Sequence, residues 1–265
     1  MKFSIVANPK QPNIKKILTK VIGFLEDFDL EEETAKIVGL TGNSITKLQG
    51  NIVISLGGDG TLLHILSNLN KPVFGINCGG VGFLTAMEHS EDIFSAFKRL
   101  ESKNYELQKV HRIDAFINDL HIGTALNEVV LHSSRVAKIQ GFEIKIDGSV
   151  ADSFRGDGLI IATPTGSTSY AMSLGGPIIY PTLESHIIVP MAAYRIGARP
   201  LVIPSKYDIA ARITGHPEAV MVIDGQDEIM IKKDDKLLFK QSKEPVELIR
   251  FGDDFFDRVQ NKLRS

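Results

Sequence analysis

Five consecutive residues, Gly57-Gly58-Asp59-Gly60-Thr61, are the part of this chain that most directly suggests chemistry. They follow a continuous apolar run at residues 52–56 and precede a helical stripe of Leu62, Leu63, Ile65, Leu66 and Leu69. Strand, glycine turn and helix in that order set unpaired N–H groups and the positive end of a helix dipole where a phosphate can rest, and glycine lets the backbone come close to it. Asp59 conflicts with simple phosphate holding. A carboxylate repels phosphate oxygens unless it has a task, such as accepting a hydroxyl proton or holding Mg2+. The structural alternative is a tight turn in which Asp59 caps the helix.

Other signatures are absent from the sequence. There is no G-x-x-x-x-G-K-[ST], and neither Gly80-Val81-Gly82 nor Gly156-Asp157-Gly158 completes a dinucleotide fingerprint. His111-Arg112-Ile113-Asp114 lacks the downstream pieces of a protein-kinase catalytic loop. None of the seven histidines stands in an H-E-x-x-H or a Cys/His cluster, so no protein metal site is expected, and no G-x-S-x-G elbow occurs.

The elements that must position the glycine turn change character along the chain. Up to about residue 105 the order is βαβ, which predicts a parallel sheet. Strands are expected at residues 3–7, 52–56 and 72–76. A helix face is read from Ile14, Ile17, Leu18, Val21, Ile22 and Leu25, and another, capped by Ser90, from Ile93, Phe94, Phe97 and Leu100. From residue 106 the segments shorten. Strands are expected at 113–117, 125–132, 142–146, 159–162, 201–203, 209–214, 220–223, 229–232 and 237–240, with hairpin turns at Asn118-Asp119 and Asp147-Gly148. Many short strands at this spacing predict an antiparallel β-sandwich. Residues 163–173 read as a polar loop feeding a helix N-terminus. A short amphipathic helix carries Phe255, Phe256, Val259 and Leu263. The expected fold class is therefore α/β, with a domain at residues 1–105, a β-rich domain at 106–245, and a tail at 246–265 returning to the first.

Composition bounds the partners. With 265 residues, 43% of them hydrophobic and 23% charged, the chain can build ordinary globular cores. Thirty Lys and Arg against 32 Asp and Glu leave a formal charge of -2, so no basic field holds nucleic acid or an anionic membrane surface. Cys78 is the sole cysteine, and the opening residues reach Pro and Asn before a signal-peptide core develops. A cytoplasmic location is the expectation.

Taken together, the motifs resemble an ordered set. Gly57 to Thr61 are followed by Leu126-Asn127-Glu128, then Arg155-Gly156-Asp157-Gly158, and then by residues 163–170 with Ser173-Leu174-Gly175-Gly176-Pro177. Asp224-Gly225-Gln226 completes the series, which resembles that of the NAD kinase family over the whole chain. The first motif alone is shared with diacylglycerol-type lipid kinases. The resemblance implies transfer of a phosphoryl group from ATP or inorganic polyphosphate, with a divalent cation such as Mg2+, to the 2'-hydroxyl of the adenosine ribose of NAD, giving NADP. It implies Asp59 as the proton acceptor, Gly60 against the substrate, and Gly57, Gly58 and Thr61 toward donor phosphates. Asn127 and Glu128 would meet a ribose, while Thr168, Ser169, Tyr170, Ala171, Met172 and Ser173 would frame adenine. Arg155 and Asp157 would approach the nicotinamide end, with Lys138 and Gln226 as further contacts. His64 stands where many members carry Arg or Lys. The family also implies a homodimer or homotetramer. Two rival readings are a lipid kinase, which needs an apolar entrance for acyl chains, and a non-catalytic NAD(P) sensor, for which the charge of Asp59 is a disadvantage.

Overall fold

In the computed structural model, all residues are described except Val81, Val136, Ile196, Asp227, Asp253, Asp254, Arg264 and Ser265, and the side chains of residues 261–263. The chain divides into two compact units, Met1–Lys109 with Val246–Ser265, and Val110–Pro245.

The first unit opens with β1 (Phe3–Ala7), α1 (Ile14–Ile22), β2 (Phe28–Leu30) and α2 (Glu32–Val38). It continues through β3 (Ile52–Gly57), α3 (Asp59–Asn68), β4 (Val73–Asn77), β5 (Met87–Glu88), α4 (Ile93–Glu101) and β6 (Glu106–Val110). Every residue of β1, β3 and β4 is buried, the pattern of parallel strands covered on both faces. Ile14, Ile17, Leu18 and Val21 of α1 and Ile93, Phe97 and Leu100 of α4 pack with Phe3, Ile5, Ile54 and Phe74. Gly75 meets Leu62 of α3, where a Cβ would crowd the leucine. Two local expectations are corrected here. Asp92, not Ser90, caps α4 by accepting the Ser95 amide at 3.2 Å, and Phe94 is 48% exposed rather than turned inward.

The second unit is all antiparallel apart from one short helix. Its strands are β7 (Ile113–Ile117), β8 (Leu120–Ala125), β9 (Glu128–Ser133), β10 (Gln140–Ile146), β11 (Ser149–Gly156) and β12 (Gly158–Ala162). A 3-10 turn at Thr165–Thr168 and the one-turn α5 (Tyr170–Ser173) precede β13 (Ser185–Met191), β14 (Leu201–Pro204), β15 (Ile209–Ile213), β16 (Glu218–Ile223), β17 (Glu228–Lys232) and β18 (Leu237–Gln241). One sheet runs β11-β10-β15-β18-β7-β8 and the other β14-β13-β12-β9-β16-β17. Their inner faces share one core that includes Phe142 and Phe239 from the first sheet and Leu131, Ile161 and Met221 from the second. The outer face of the second sheet is also apolar, and Ala171, Leu174 and Ile179 lie over Ile160, Ile187 and Val189. The single strand expected at residues 125–132 is interrupted, because Leu126 and Asn127 leave the ladder between β8 and β9.

The chain then returns to the first unit as β19 (Val246–Arg250) and α6 (Phe255–Leu263). The first sheet is completed in the order β2-β1-β3-β4-β19-β6, with β5 beside β4. In α6, Phe255 is buried and Phe256 is 70% exposed, and the Leu263 side chain lies outside the described residues.

Candidate active site

In the first unit the chain runs from β1 to β2 on one side and from β3 to β4 on the other, so the ends of β1 and β3 form the point where strand order reverses, the usual ligand crevice of an open parallel sheet. A crevice of about 400 Å3 opens there, lined among others by Asn8, Glu31, Glu33, Gly60, Thr61 and His64. The two glutamates are engaged locally. Glu31 accepts the amides of Glu33 and Thr34, both at 2.9 Å, as the N-cap of α2, and Glu33 pairs with Lys36. Of the described residues lining the crevice, His64 alone can carry positive charge.

Gly58 is the N-cap of α3 and Asp59 its first residue. The Asp59 carboxylate does not fold back onto its own helix. Its Oδ2 accepts the Phe83 amide at 2.8 Å and its Oδ1 the Leu84 amide at 2.9 Å, so it ties the glycine turn to the loop after β4. Each oxygen keeps a second lone pair for another donor. Gly57 is buried, and the Thr61 side chain packs where its Cβ would be. Gly60 is different. It is exposed, has ordinary helical geometry, and a Cβ there would meet nothing within 4 Å. Glycine in a helix costs about 1 kcal/mol relative to alanine, and no contact inside the protein requires it here, so its effect is to keep the crevice wall low beside Asp59.

In the second unit, a hydrogen-bonded cluster forms around the break between β8 and β9. Thr163 Oγ donates to the Leu126 carbonyl at 2.5 Å and its amide to the Asn127 carbonyl at 2.8 Å. Gly166 lies so close to Asn127 that a Cβ would overlap its main chain. Ser169 Oγ donates to Glu128 Oε1 at 3.0 Å. From the Asp224-Gly225 turn, the Asp224 carboxylate accepts three amides at once, Leu126 and Asn127 at 2.7 Å and Glu128 at 3.0 Å. Asn127 and Glu128 are thus held 7% and 6% exposed, while Asn127 Oδ1 and Glu128 Oε2 have no partner among the described residues. An unsatisfied buried acceptor costs about 1–3 kcal/mol, which a ligand hydroxyl would relieve. Burial pushes the Glu128 carboxyl up to about 7, with the charge of Asp224 adding and the Ser169 hydrogen bond opposing. Burial also raises Asp224, against its three amide bonds and Arg112.

The remaining residues named from the sequence occupy varied settings. Thr168 Oγ donates to Thr165 O, Ser173 Oγ to Tyr170 O, and Ala171 is buried under the second sheet, so these side chains serve their own segment. Tyr170 is 44% exposed and Met172 half-buried. Lys138, Arg155, Asp157 and Gln226 are exposed, and among the described residues no side-chain hydrogen bond ties them to Asn127 or Glu128. Sequence reasoning named Asp224 only as part of a motif, without its role, and missed the amides of Phe83 and Leu84. The Asp-Gly turn and the Gly79, Gly80 and Gly82 run were the available signals.

A carboxylate in a switch-point glycine turn in one unit and two buried acceptors without a partner among the described residues in the other are the arrangement of a nucleotide-binding phosphotransferase. Residues 31–105 match the ATP-NAD kinase N-terminal domain and residues 126–251 the ATP-NAD kinase C-terminal domain. An NAD kinase of Methanosarcina acetivorans is 36% identical over 99% of this chain and 98% of its own, and one of Thermoplasma volcanium 37% identical over 88% and 86%. A solved NAD kinase from Archaeoglobus fulgidus in complex with ATP is 30% identical, with a TM-score of 0.80 over 100% of this chain and 99% of that one. A yeast NADH kinase complexed with NADH shares the fold at TM-score 0.90 and 22% identity, covering 99% of this chain and 87% of its own. The chain belongs to the NAD kinase family.

Proposed function

We propose that this kinase transfers the terminal phosphoryl group of ATP, or of inorganic polyphosphate, to the 2'-hydroxyl of the adenosine ribose of NAD, releasing NADP. The observation that carries the reading is Asp59 beside the open wall at Gly60. Phosphoryl transfer asks a protein for positioning and for a base, and Asp59 has a free lone pair on each oxygen to accept the hydroxyl proton while the 2' oxygen bonds to phosphorus and the bridging oxygen leaves with ADP, or with the polyphosphate shortened by one phosphate. In the second unit, Asn127 Oδ1 and Glu128 Oε2 suit a pair of ribose hydroxyls. Tyr170 offers an exposed ring for a base.

A divalent cation such as Mg2+ would arrive on the donor phosphates, keeping several of its own waters. There it would neutralise charge at the transferred group. Among the described residues no helix is long and apolar enough to cross a membrane, and a cytoplasmic homodimer or homotetramer is part of the same reading, tested by light scattering. The enzymatic test is direct. Incubation with NAD, Mg2+ and each donor in turn should yield NADP, detected by an NADP-specific dehydrogenase. No NADP with either donor, or phosphorylation of diacylglycerol instead, overturns the proposal.

A further inference from the structure

The loop that grips Asp59 is itself held from the far end of the chain. Arg250, the last residue of β19, is 5% exposed, and its Nη1 donates to the carbonyls of Leu84 at 2.9 Å and Thr85 at 2.8 Å, while its Nε donates to Gln108 Oε1 at 2.8 Å. Arg258 of α6 reaches the same place, donating to the Thr85 carbonyl at 2.7 Å. The Leu84 residue therefore offers its carbonyl to Arg250 and its amide to Asp59. A buried guanidinium is expensive to desolvate, and two main-chain carbonyls are among its partners here, so part of its hydrogen bonding goes into fixing main chain.

We infer that Arg250 is a positioning residue for the phosphoryl-transfer step, acting through the Phe83–Thr85 main chain to fix the Asp59 carboxylate, with Arg258 as a second anchor on the same loop. The inference rests on the reading of Asp59 as base. Loss of Arg250 takes the side-chain donor from the Leu84 carbonyl, leaves the Thr85 carbonyl to Arg258, and loosens a loop whose displacement by ~1 Å can cost about 10²-fold in rate. A merely structural arginine would lower the melting temperature without depending on Asp59.

The test combines kinetics and hydrogen exchange on full-length protein. Arg250→Met should lower kcat about 10²-fold with KM for NAD within threefold, and less than threefold in an Asp59→Asn background, because a positioning residue has little left to position there. It should also speed amide exchange of Phe83 and Leu84 at least tenfold relative to α1. Arg250→Lys, which retains charge and one donor, should fall between, and serves if the methionine variant does not fold. Equal kcat losses in both backgrounds, or unchanged protection of the two amides, overturn the inference. If Asp59→Asn alone keeps near-wild-type turnover while exchange is accelerated, the base reading fails and the clamp stands.

Discussion

A carboxylate gripped by two amide hydrogens cannot be exchanged for its amide without turning an NH2 toward one of them. Asp59→Asn should accordingly lose about 1–3 kcal/mol of stability together with about two to four orders of magnitude in kcat, measured by thermal melts and steady-state NADP formation. Turnover within a few-fold of wild type would remove the base role. The same variant should bind NADP more tightly and NAD equally well in Mg2+-free calorimetry, because a carboxylate ~4 Å from a new 2'-phosphate repels it by about 4 kcal/mol at an effective dielectric of 20. In the second unit, Asn127→Ala and Tyr170→Ala should each weaken NAD binding by about 1–3 kcal/mol. Unchanged dissociation constants for both would misplace the dinucleotide. What the sequence displayed at this scale was side-chain chemistry. Asp59, Asn127 and Glu128 stood out by type and spacing, whereas the Phe83 and Leu84 amides carry no side-chain signature, and nothing in the two motifs at residues 126–128 and 224–226 showed that the Asp224 carboxylate binds the main chain of the other.

Two strands of one sheet carry buried groups of opposite pH sign. His186 of β13 is 1% exposed with neither ring nitrogen partnered among the described residues, and burial, then His111, lowers it to about 4. As pH falls from 6.5 toward 4 the unfolded chain takes the proton first, so this strand loses about 3 kcal/mol. Glu128, at the start of β9, is raised to about 7 and acts in reverse. Between 4.5 and 7 the folded carboxyl holds a proton the unfolded one has released, so its stabilisation, about 3 kcal/mol, is full below 4.5 and is lost as pH rises to 7. The two largely offset between pH 4.5 and 6.5. His186→Leu should become more stable on acidification and Glu128→Gln more acid-labile, read from melting temperatures across that range; parallel curves for the two variants would contradict the assignment. Elements with a strong period were legible, β1 and β7 to the residue. The strand β11 was not, because five of its eight residues are exposed and its pattern is largely polar, and β19 hid within a segment read only as a tail. The Leu126–Asn127 break was not read because the strand was drawn from Ala125 straight through to the apolar residues 129–131, and the amide bonds to Asp224 that hold residues 126 and 127 come from a segment nearly a hundred residues away.

At the scale of the molecule, the first unit is assembled from two distant stretches. Removing residues 246–265 deletes β19 from between β4 and β6, together with Arg250, Arg258 and the buried Phe255. Such a truncation should melt several degrees lower and lose activity, since about 1–3 kcal/mol is at stake for each unsatisfied buried group alone. An unchanged melting temperature and rate would show that the returning segment is dispensable.

The central slot between β4 and β6 also orders events during synthesis. A ribosome delivers Met1–Lys109 first, then the whole of Val110–Pro245, and only afterwards the strand that fills the slot. Until then β4 and β6 lack the strand that joins them, and placing it requires contacts of very long sequence separation, which form slowly. The strand that fills the slot also brings Arg250 to the carbonyls of Leu84 and Thr85, so a chain interrupted before residue 246 lacks both the strand and the contacts that this arginine makes with the loop gripping Asp59.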